Sequence, residues 1–413
     1  DLVHNPTPYQ NRGWCIGEME WSSDRQATEQ NQLIDIRHDS DGQEDGLELL
    51  GQVPTAPKHF AVKMETAAFT HRSDAAAVVH LQEKIFLEKV RRNESLNLEG
   101  LPRSEFQRLL NALPYFEVLQ SITLIHFECS QEEAEAFAKA LRQTKVLKFQ
   151  CRCNEGYQES FSHMIQALAA VLNETCIVEL NFSRKSGYDA GMDVATVEVL
   201  AKALETNSHV THLNLKGCTI EVEGSKALAT ALQSNKTVVD INLGHNFCCD
   251  EGAEELAGML KINRTITRLN LQDCWIGVKG IKALATALKL NDTVVDINLA
   301  RNYGCGNEGA EALAAVLSTN AAIQRLNLEF CEIGDAGVEA LASALQINRV
   351  LTHLRMHGND VGVQGAQALA SAPMVNRVVA AGCSQDDTSS ANLLCRSPFG
   401  ASTRLQALAD ALR

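Results

Sequence analysis

Short runs in which apolar and polar residues alternate recur at a nearly fixed interval in the second half of the chain. Each run holds two apolar residues separated by one residue: Leu213/Leu215, Ile241/Leu243, Leu269/Leu271, Ile297/Leu299, Leu326/Leu328 and Leu354/Met356. Alternation over so short a run predicts a strand with one buried face. An Ala/Leu-rich stretch follows each run, as in 225–235, where Leu228 and Leu232 share one helical face. The pattern therefore predicts alternating strands and helices.

One glycine stands at the start of each helical stretch and sets the period. The six glycines are Gly224, Gly252, Gly280, Gly309, Gly337 and Gly365. Successive glycines are about 28 residues apart, and a period of this size predicts a stacked array of repeats rather than one globular core. Weaker copies, from Leu96 and Leu98 onward, and a fading strand at 378–383 extend the array to about ten or eleven units over 94–383.

Two further positions repeat with the same stride. Three residues after each apolar pair the chain alternates Cys218, Asn246, Cys274, Asn302, Cys331 and Asn359, which indicates a double unit. We expect the thiols to be buried, and we expect the Cys or Asn side chain to bond backbone groups of its own turn and of the next one. Each helix ends at another Asn, as at Asn235 and Asn291, for which we predict a left-handed cap.

The pattern L-x-x-L-x-L-x-x-(N/C) in units of about 28 residues resembles the ribonuclease-inhibitor type of leucine-rich repeat. That type also occurs in NOD-like receptors and in Ran GTPase-activating protein. The resemblance implies a curved α/β solenoid with parallel strands on the concave face and helices on the convex face. It also implies a non-catalytic scaffold that binds a protein partner, as the sensing or regulatory part of a NOD-like-receptor-type protein.

An alternative function follows from the same resemblance, namely activation of a Ran-like small GTPase. Such an activator stabilises the transition state of the GTPase and needs only a binding face. The Ran-directed family carries a strongly acidic tail after its repeats, whereas the last residues here, 393–413, are not acidic. We therefore place this alternative second.

The domain plan has four parts. Residues 1–70 are polar and do not fit the repeat, and we expect an irregular segment, the tail of a truncated domain. A capping helix is predicted at 71–93, with Val78, Leu81 and Ile85 on its apolar face. The solenoid occupies 94–383, and a linker with a C-terminal helix occupies 384–413.

A short motif near the start of the chain points to a third function. Trp14, Cys15 and Glu18 form a W-C-x-x-E stretch that resembles plant-type TIR domains, where the Glu acts in NAD cleavage. Only thirteen residues precede Trp14, so the strands and loops that would complete such a domain do not precede it. A TIR-like NAD hydrolase fragment is therefore the last of the three hypotheses, and we expect no enzyme.

Composition narrows the range of ligands. The net charge of −14 disfavours nucleic acid and anionic membranes as partners, and no apolar run approaches the roughly 18 residues of a membrane span. The thirteen cysteines show no paired zinc spacing, and we expect no metal, no cofactor and a reducing compartment, cytoplasmic or nuclear. Because aromatic residues make up only 5%, we expect an interior of Leu, Ala, Val and Ile.

Polar residues line the predicted strand face. The strands begin with His212, Asp240, Arg268, Asp296, Arg325 and His353, and their middle positions include Asn242, Asn270 and Asn298. Neighbouring strands lie about 4.8 Å apart, so the charges should form an alternating ladder. This face is either a polar docking surface, with Arg268 and Arg325 as contacts, or a self-compensated ladder that keeps the strands in register.

Aromatic residues cluster at one position of the repeat. Phe247, Trp275 and Tyr303 directly follow the alternating Cys/Asn position in three consecutive units, and Phe330 directly precedes that position in the next. Exposed Trp and Tyr clusters are typical anchors of protein interfaces. These four residues are the predicted partner-binding patch; the alternative is that their rings pack locally over the loops.

Overall fold

The computed structural model describes residues 33–37, 53–67, 69, 74–153, 156–184 and 191–372. The chain divides into two compact units, Asp1–Asn181 and Phe182–Arg413. Three predicted features lie outside the described residues: the W-C-x-x-E stretch, the strand at 378–383 and the C-terminal helix.

The first unit contains a parallel sheet and helices that alternate with its strands. Strands β1 to β5 pair in sequence order, and all four pairings are parallel. One-turn helices at Leu113–Tyr115 and Leu172–Glu174 extend α3 and α5. The elements are β1 Leu33–Arg37, α1 Pro57–Thr66, α2 Asp74–Val90, β2 Ser95–Glu99, α3 Arg103–Ala112, β3 Ser121–Ile125, α4 Gln131–Leu141, β4 Lys148–Arg152, α5 Gln158–Val171 and β5 Glu179–Asn181.

The second unit repeats one strand and one helix with little variation. Its three-residue strands pair in parallel with the apolar centres in register, for example Leu213 with Ile241. The elements are α6 Val194–Thr206, β6 His212–Asn214, α7 Val222–Ser234, β7 Asp240–Asn242, α8 Cys249–Leu260, β8 Arg268–Asn270, α9 Val278–Leu288, β9 Asp296–Asn298, α10 Gly306–Leu317, β10 Arg325–Asn327, α11 Asp335–Ile347, β11 His353–Arg355 and α12 Val363–Ser371. The predicted alternation of parallel strands and helices is confirmed.

The described residues of 1–70 include a strand and a helix, where we expected an irregular segment. Strand β1 pairs with β2, and α1 packs against α2 through Phe60, Met64 and Val78. Pro57 begins α1 at a position where its missing N–H costs nothing. The helix was missed because the surrounding residues are polar and only three of its own side chains are buried.

The buried face of α2 also differs from the prediction. Leu81 is exposed, whereas Gln82 and Phe86 are buried with Val78. Gln82 Nε2 donates to the carbonyl of Thr55, 2.7 Å away, and the Phe86 ring meets Tyr115 edge-on at 5.2 Å. The Thr55 carbonyl pairs the amide N–H of Gln82, whereas Gln82 Oε1 is buried without a hydrogen-bond partner among the described residues. A polar residue therefore lies on the buried face of the helix, next to the exposed Leu81 that the apolar pattern had placed there.

Phenylalanine adds to the expected Leu, Ala, Val and Ile in the interior of the first unit. Eight of the twelve phenylalanines that the structure describes are fully buried, and all of these except Phe182 lie in this unit. Phe106 stacks on Phe127 at 6.0 Å, and Phe137 lies between Phe106 and Phe149 at 5.6 and 6.0 Å. A low aromatic total concealed this core because the rings are concentrated in the less regular repeats.

The recurring glycines permit close contact between successive repeats. A Cβ at Gly280 would lie 2.7 Å from Ile276 Cγ2, 2.8 Å from Asp250 Oδ1 and 2.9 Å from Ala253 Cβ. Asp250 belongs to the preceding helix, and its Oδ1 accepts hydrogen bonds of 2.8 Å from the N–H groups of Gly277 and Gly280. The helix N-terminus is thus capped from the neighbouring repeat, which the sequence did not reveal.

Asparagines at the helix ends are extended, so the predicted left-handed cap is wrong. Asn235 has φ −63° and ψ 134°. In the next double unit, Asn291 Nδ2 donates to the carbonyls of Leu260 and Asn263, and its Oδ1 accepts from the N–H groups of Thr293 and Val294. The side chain caps the preceding helix end, and therefore the backbone does not need a left-handed turn.

Substitution of two glycines separates close packing from helix propensity. We expect Gly280→Ala to lower the free energy of unfolding by about 1–3 kcal/mol, because the new methyl overlaps atoms of the preceding repeat. At Gly258, in α8, an added Cβ meets no atom within 4 Å. Gly258→Ala should therefore raise the free energy of unfolding by about 0.5–1 kcal/mol. Urea unfolding followed by circular dichroism measures both, and changes of the same sign would contradict the explanation.

Candidate interaction surface

Buried Cys and Asn side chains hold the loops that follow each strand of the second unit. Asn302 Oδ1 accepts from the N–H groups of Cys274 and Ile276, and its Nδ2 donates to the carbonyls of Leu271 and Leu299. These four bonds, of 2.8 to 3.1 Å, join two consecutive loops. The Asn side chain bonds its own turn as expected, but the second turn that it bonds is the preceding one rather than the next.

The alternating thiols act as donors within the same loops. Cys218, Cys274 and Cys331 are fully buried, and their Sγ atoms donate to carbonyls of the preceding repeat at 3.1 to 3.3 Å. Burial raises the pKa of Cys218 to about 12. A thiol that stays protonated can donate a hydrogen bond and is a poor nucleophile, so these cysteines are structural.

The loops present the predicted aromatic residues at their outer positions. Trp275 is 61% exposed and Tyr303 48% exposed, whereas Phe247 is half-buried. The Phe247 and Trp275 rings lie 6.0 Å apart between centroids, at 48°. We refer to Phe247, Trp275 and Tyr303 as the aromatic rim.

Phe330 is held by a different set of contacts. The Arg301 guanidinium lies 4.6 Å from its ring centroid, and His357 meets the ring edge-on at 5.3 Å. The sequence analysis did not single out Arg301 or His357. Arg301 directly precedes the alternating Cys/Asn position, as Phe330 does, and His357 directly follows Met356. Phe330 is therefore already packed between neighbouring repeats.

Backbone conformation explains how Trp275 becomes exposed. Its φ of 58° lies in the left-handed region, which bulky residues rarely adopt. Thr219 and Glu332, at the equivalent positions, have φ of 57° and 55°. The loop type imposes this conformation whatever the side chain, and it directs the Trp275 side chain outward.

The strand face carries the predicted ion pairs. Arg268 Nε lies 2.7 Å from Asp240 Oδ2, and Arg325 Nε lies 2.7 Å from Asp296 Oδ2. Arg268 also contacts His212 Nε2 at 3.1 Å. Such partly exposed pairs each contribute little to stability, about 0.2–1 kcal/mol.

The strand asparagines serve their own loops. The Oδ1 atoms of Asn242, Asn270 and Asn298 accept from the backbone N–H two residues later, at 2.9 to 3.0 Å. With the ion pairs they line a shallow depression of about 320 Å³ that also includes Arg355. Arg355 was missed, although it occupies the position of these asparagines in the last described strand.

Comparison with known proteins identifies the repeats. The family described as "Leucine Rich repeat" matches residues 206–229, 263–285, 319–342 and 348–370. The chain therefore contains leucine-rich repeats, and its fold is an α/β leucine-rich-repeat solenoid. No curated protein matches the chain.

Two solved structures are similar to this chain. One is actin-binding site 2 of leiomodin-1, at 20% identity and a TM-score of 0.31, covering 40% of this chain and 90% of that one. The other is the yeast Rad7–Elc1 complex, at 14% identity and a TM-score of 0.43, covering 73% and 76%. Within the described residues, no helix is long and apolar enough to cross a membrane.

Removal of one loop amide tests the link between repeats. We expect Asn302→Ala to lower the free energy of unfolding by about 2–4 kcal/mol, because it leaves buried N–H and C=O groups unpaired. Asn302→Cys should cost nearly as much, because a thiol can donate to a carbonyl but leaves the N–H groups of Cys274 and Ile276 without an acceptor. Urea unfolding compares the two, and an Asn302→Ala variant as stable as the parent would contradict the assignment.

Proposed function

We propose that this protein is a non-catalytic scaffold whose leucine-rich repeats bind a protein partner through the aromatic rim. The supporting observation is that three consecutive repeats place aromatic side chains at one equivalent position, with Trp275 61% and Tyr303 48% exposed. Exposed rings supply large contact area with little loss of side-chain entropy on binding.

The repeat itself does not require aromatic residues at this position. Thr219, Glu332 and Asp360 occupy it in the other repeats, so the loop folds with small or charged side chains there. The stability of the fold therefore does not explain why aromatic residues occupy the rim. Exposed aromatic side chains at one position of consecutive repeats are typical of a protein interface.

The strand face contributes polar contacts in this proposal. Arg268 and Arg325 each retain donors beyond the Nε that bonds an aspartate, since a guanidinium has five N–H groups. Asn242, Asn270 and Asn298 add amide groups in the same depression. We assign these five residues a secondary role, because their ion pairs and loop bonds already satisfy much of their bonding capacity.

A finer assignment rests on the resemblance to the ribonuclease-inhibitor type of leucine-rich repeat. That resemblance implies a sensing or regulatory part of a NOD-like-receptor-type protein, with a Ran-like small GTPase as the alternative partner. Ten described cysteines are free thiols, which supports action in a reducing compartment such as the cytoplasm or nucleus.

The aromatic rim predicts loss of partner binding without loss of folding. We expect the triple variant Phe247→Ala, Trp275→Ala, Tyr303→Ala to lose a partner that the parent chain captures from lysate, identified by mass spectrometry. The reason is the removal of the exposed rings; the buried loop bonds remain. Circular dichroism and thermal unfolding would establish that the variant folds.

A matched control uses the same position in other repeats. The variant Thr219→Ala, Glu332→Ala, Asp360→Ala changes equivalent loop residues and should retain the partner. Equal capture by the parent and the rim variant would overturn the proposal and direct attention to Arg268 and Arg325. A GTP-hydrolysis assay of the captured partner, with and without this chain, tests the GTPase alternative. A higher rate with the chain present would favour that alternative.

A further inference from the structure

Exposed apolar side chains also line the opposite edge of the second unit, where each helix turns into the next strand. Ile262, Leu290 and Ile347 are 56%, 63% and 65% exposed. They stand one residue before the buried helix-end asparagines, at equivalent positions of their repeats. The aromatic rim lies at the strand-to-helix loops, so these side chains belong to a different surface.

The fold does not require apolar residues at this second position either. Thr206, Ser234 and Thr319 occupy it in other repeats of the same unit. Leaving Ile or Leu in water at a place that accepts Ser or Thr brings no folding advantage. The apolar choice is concentrated in consecutive repeats, at Ile262 and Leu290.

Cations accompany the apolar pair. Lys261 and Lys289 are exposed and directly precede Ile262 and Leu290, and Arg264 follows with its Nε 3.8 Å from Asp292. We name Lys261, Ile262, Arg264, Lys289 and Leu290 the helix-end patch. It gathers three cations beside one carboxylate in a chain whose net charge is −14.

Helix electrostatics account for only part of this arrangement. Cations are favourable at helix C-termini, and Lys261 and Lys289 directly follow the last residues of α8 and α9. At the equivalent position, however, the chain has Glu205, Gln233 and Ser318, so a lysine is not required. Lysine occurs in the two consecutive repeats that also carry Ile262 and Leu290.

We propose that the helix-end patch binds an acidic amphipathic helix of a partner protein. Ile262 and Leu290 follow the neighbouring helices α8 and α9 at equivalent positions. Because packed helices lie about 8–10 Å apart, we expect a similar separation between these two residues. Seven residues of a bound helix rise by about 10.5 Å, so apolar residues at heptad spacing meet both side chains. Carboxylates beside them pair with Lys261 and Lys289, a charge match that excludes basic peptides.

Selection from peptide libraries displayed on phage tests this surface. One library holds helical 18-residue peptides with Leu, Ile or Phe at heptad positions and Glu or Asp elsewhere; the other replaces the acidic residues by Lys or Arg. We expect the full chain to enrich acidic peptides at least tenfold over basic ones. Raising the salt concentration from 50 to 500 mM should weaken the selected peptides at least tenfold.

Two double variants test whether the selected peptides bind at the helix-end patch, and their replacement residues occur at equivalent positions of other repeats. Ile262→Ser with Leu290→Thr, and separately Lys261→Gln with Lys289→Gln, should each lower the affinity of selected peptides at least tenfold in fluorescence anisotropy. The aromatic-rim variant should bind them as the parent does, which keeps this outcome separate from that of the proposed function. Unchanged binding by both patch variants, enrichment of basic peptides or no enrichment would overturn the proposal. Patch-dependent binding to phosphatidylserine vesicles without acidic-peptide enrichment would also overturn it and indicate a membrane surface instead.

Discussion

A buried side-chain amide that bridges consecutive repeats is the interaction on which the second unit depends. Asn302 joins the loop after β9 to the loop after β8, and Asn291 joins the end of α9 to the end of α8. Both strand-to-helix and helix-to-strand turns are thereby tied to the preceding repeat. Since no single repeat could bury its apolar face alone, these bonds set the spacing at which the cores meet.

The two candidate surfaces follow from that arrangement. The loops are fixed by buried bonds, and their outer positions do not contribute to the core. The fold therefore accepts Trp275 or Thr219 at one such position and Ile262 or Ser234 at the other. Functional differences between repeats can accumulate at such positions without loss of stability. Repeats with the same backbone thus differ in the side chains that they expose, and those side chains form the interaction surfaces.

Periodicity was sufficient to predict the repeats because each position of the unit faces the same neighbours. It was insufficient where the neighbours differ. Leu81 was predicted to be a core residue, but Gln82, whose Nε2 donates to the carbonyl of Thr55, is buried beside it instead. The cap that Asp250 provides to α9 spans two repeats, and a side-chain contact of that kind leaves no local signature. The aromatic rim was visible as a pattern because its members share one position.

Alternation of Cys and Asn has a consequence for how the array can change in length. An Asn-type loop accepts the N–H groups of a Cys-type loop before it. Both types share one left-handed position, at His245 and Asp273. The second left-handed residue, however, falls at Trp275 in one type and at Cys249 in the other. Deleting or duplicating a single repeat would place two loops of one type side by side. Repeats should therefore be gained or lost as a pair of one Cys-type and one Asn-type repeat. Viable insertions are expected to be about 56 residues long, twice the glycine stride.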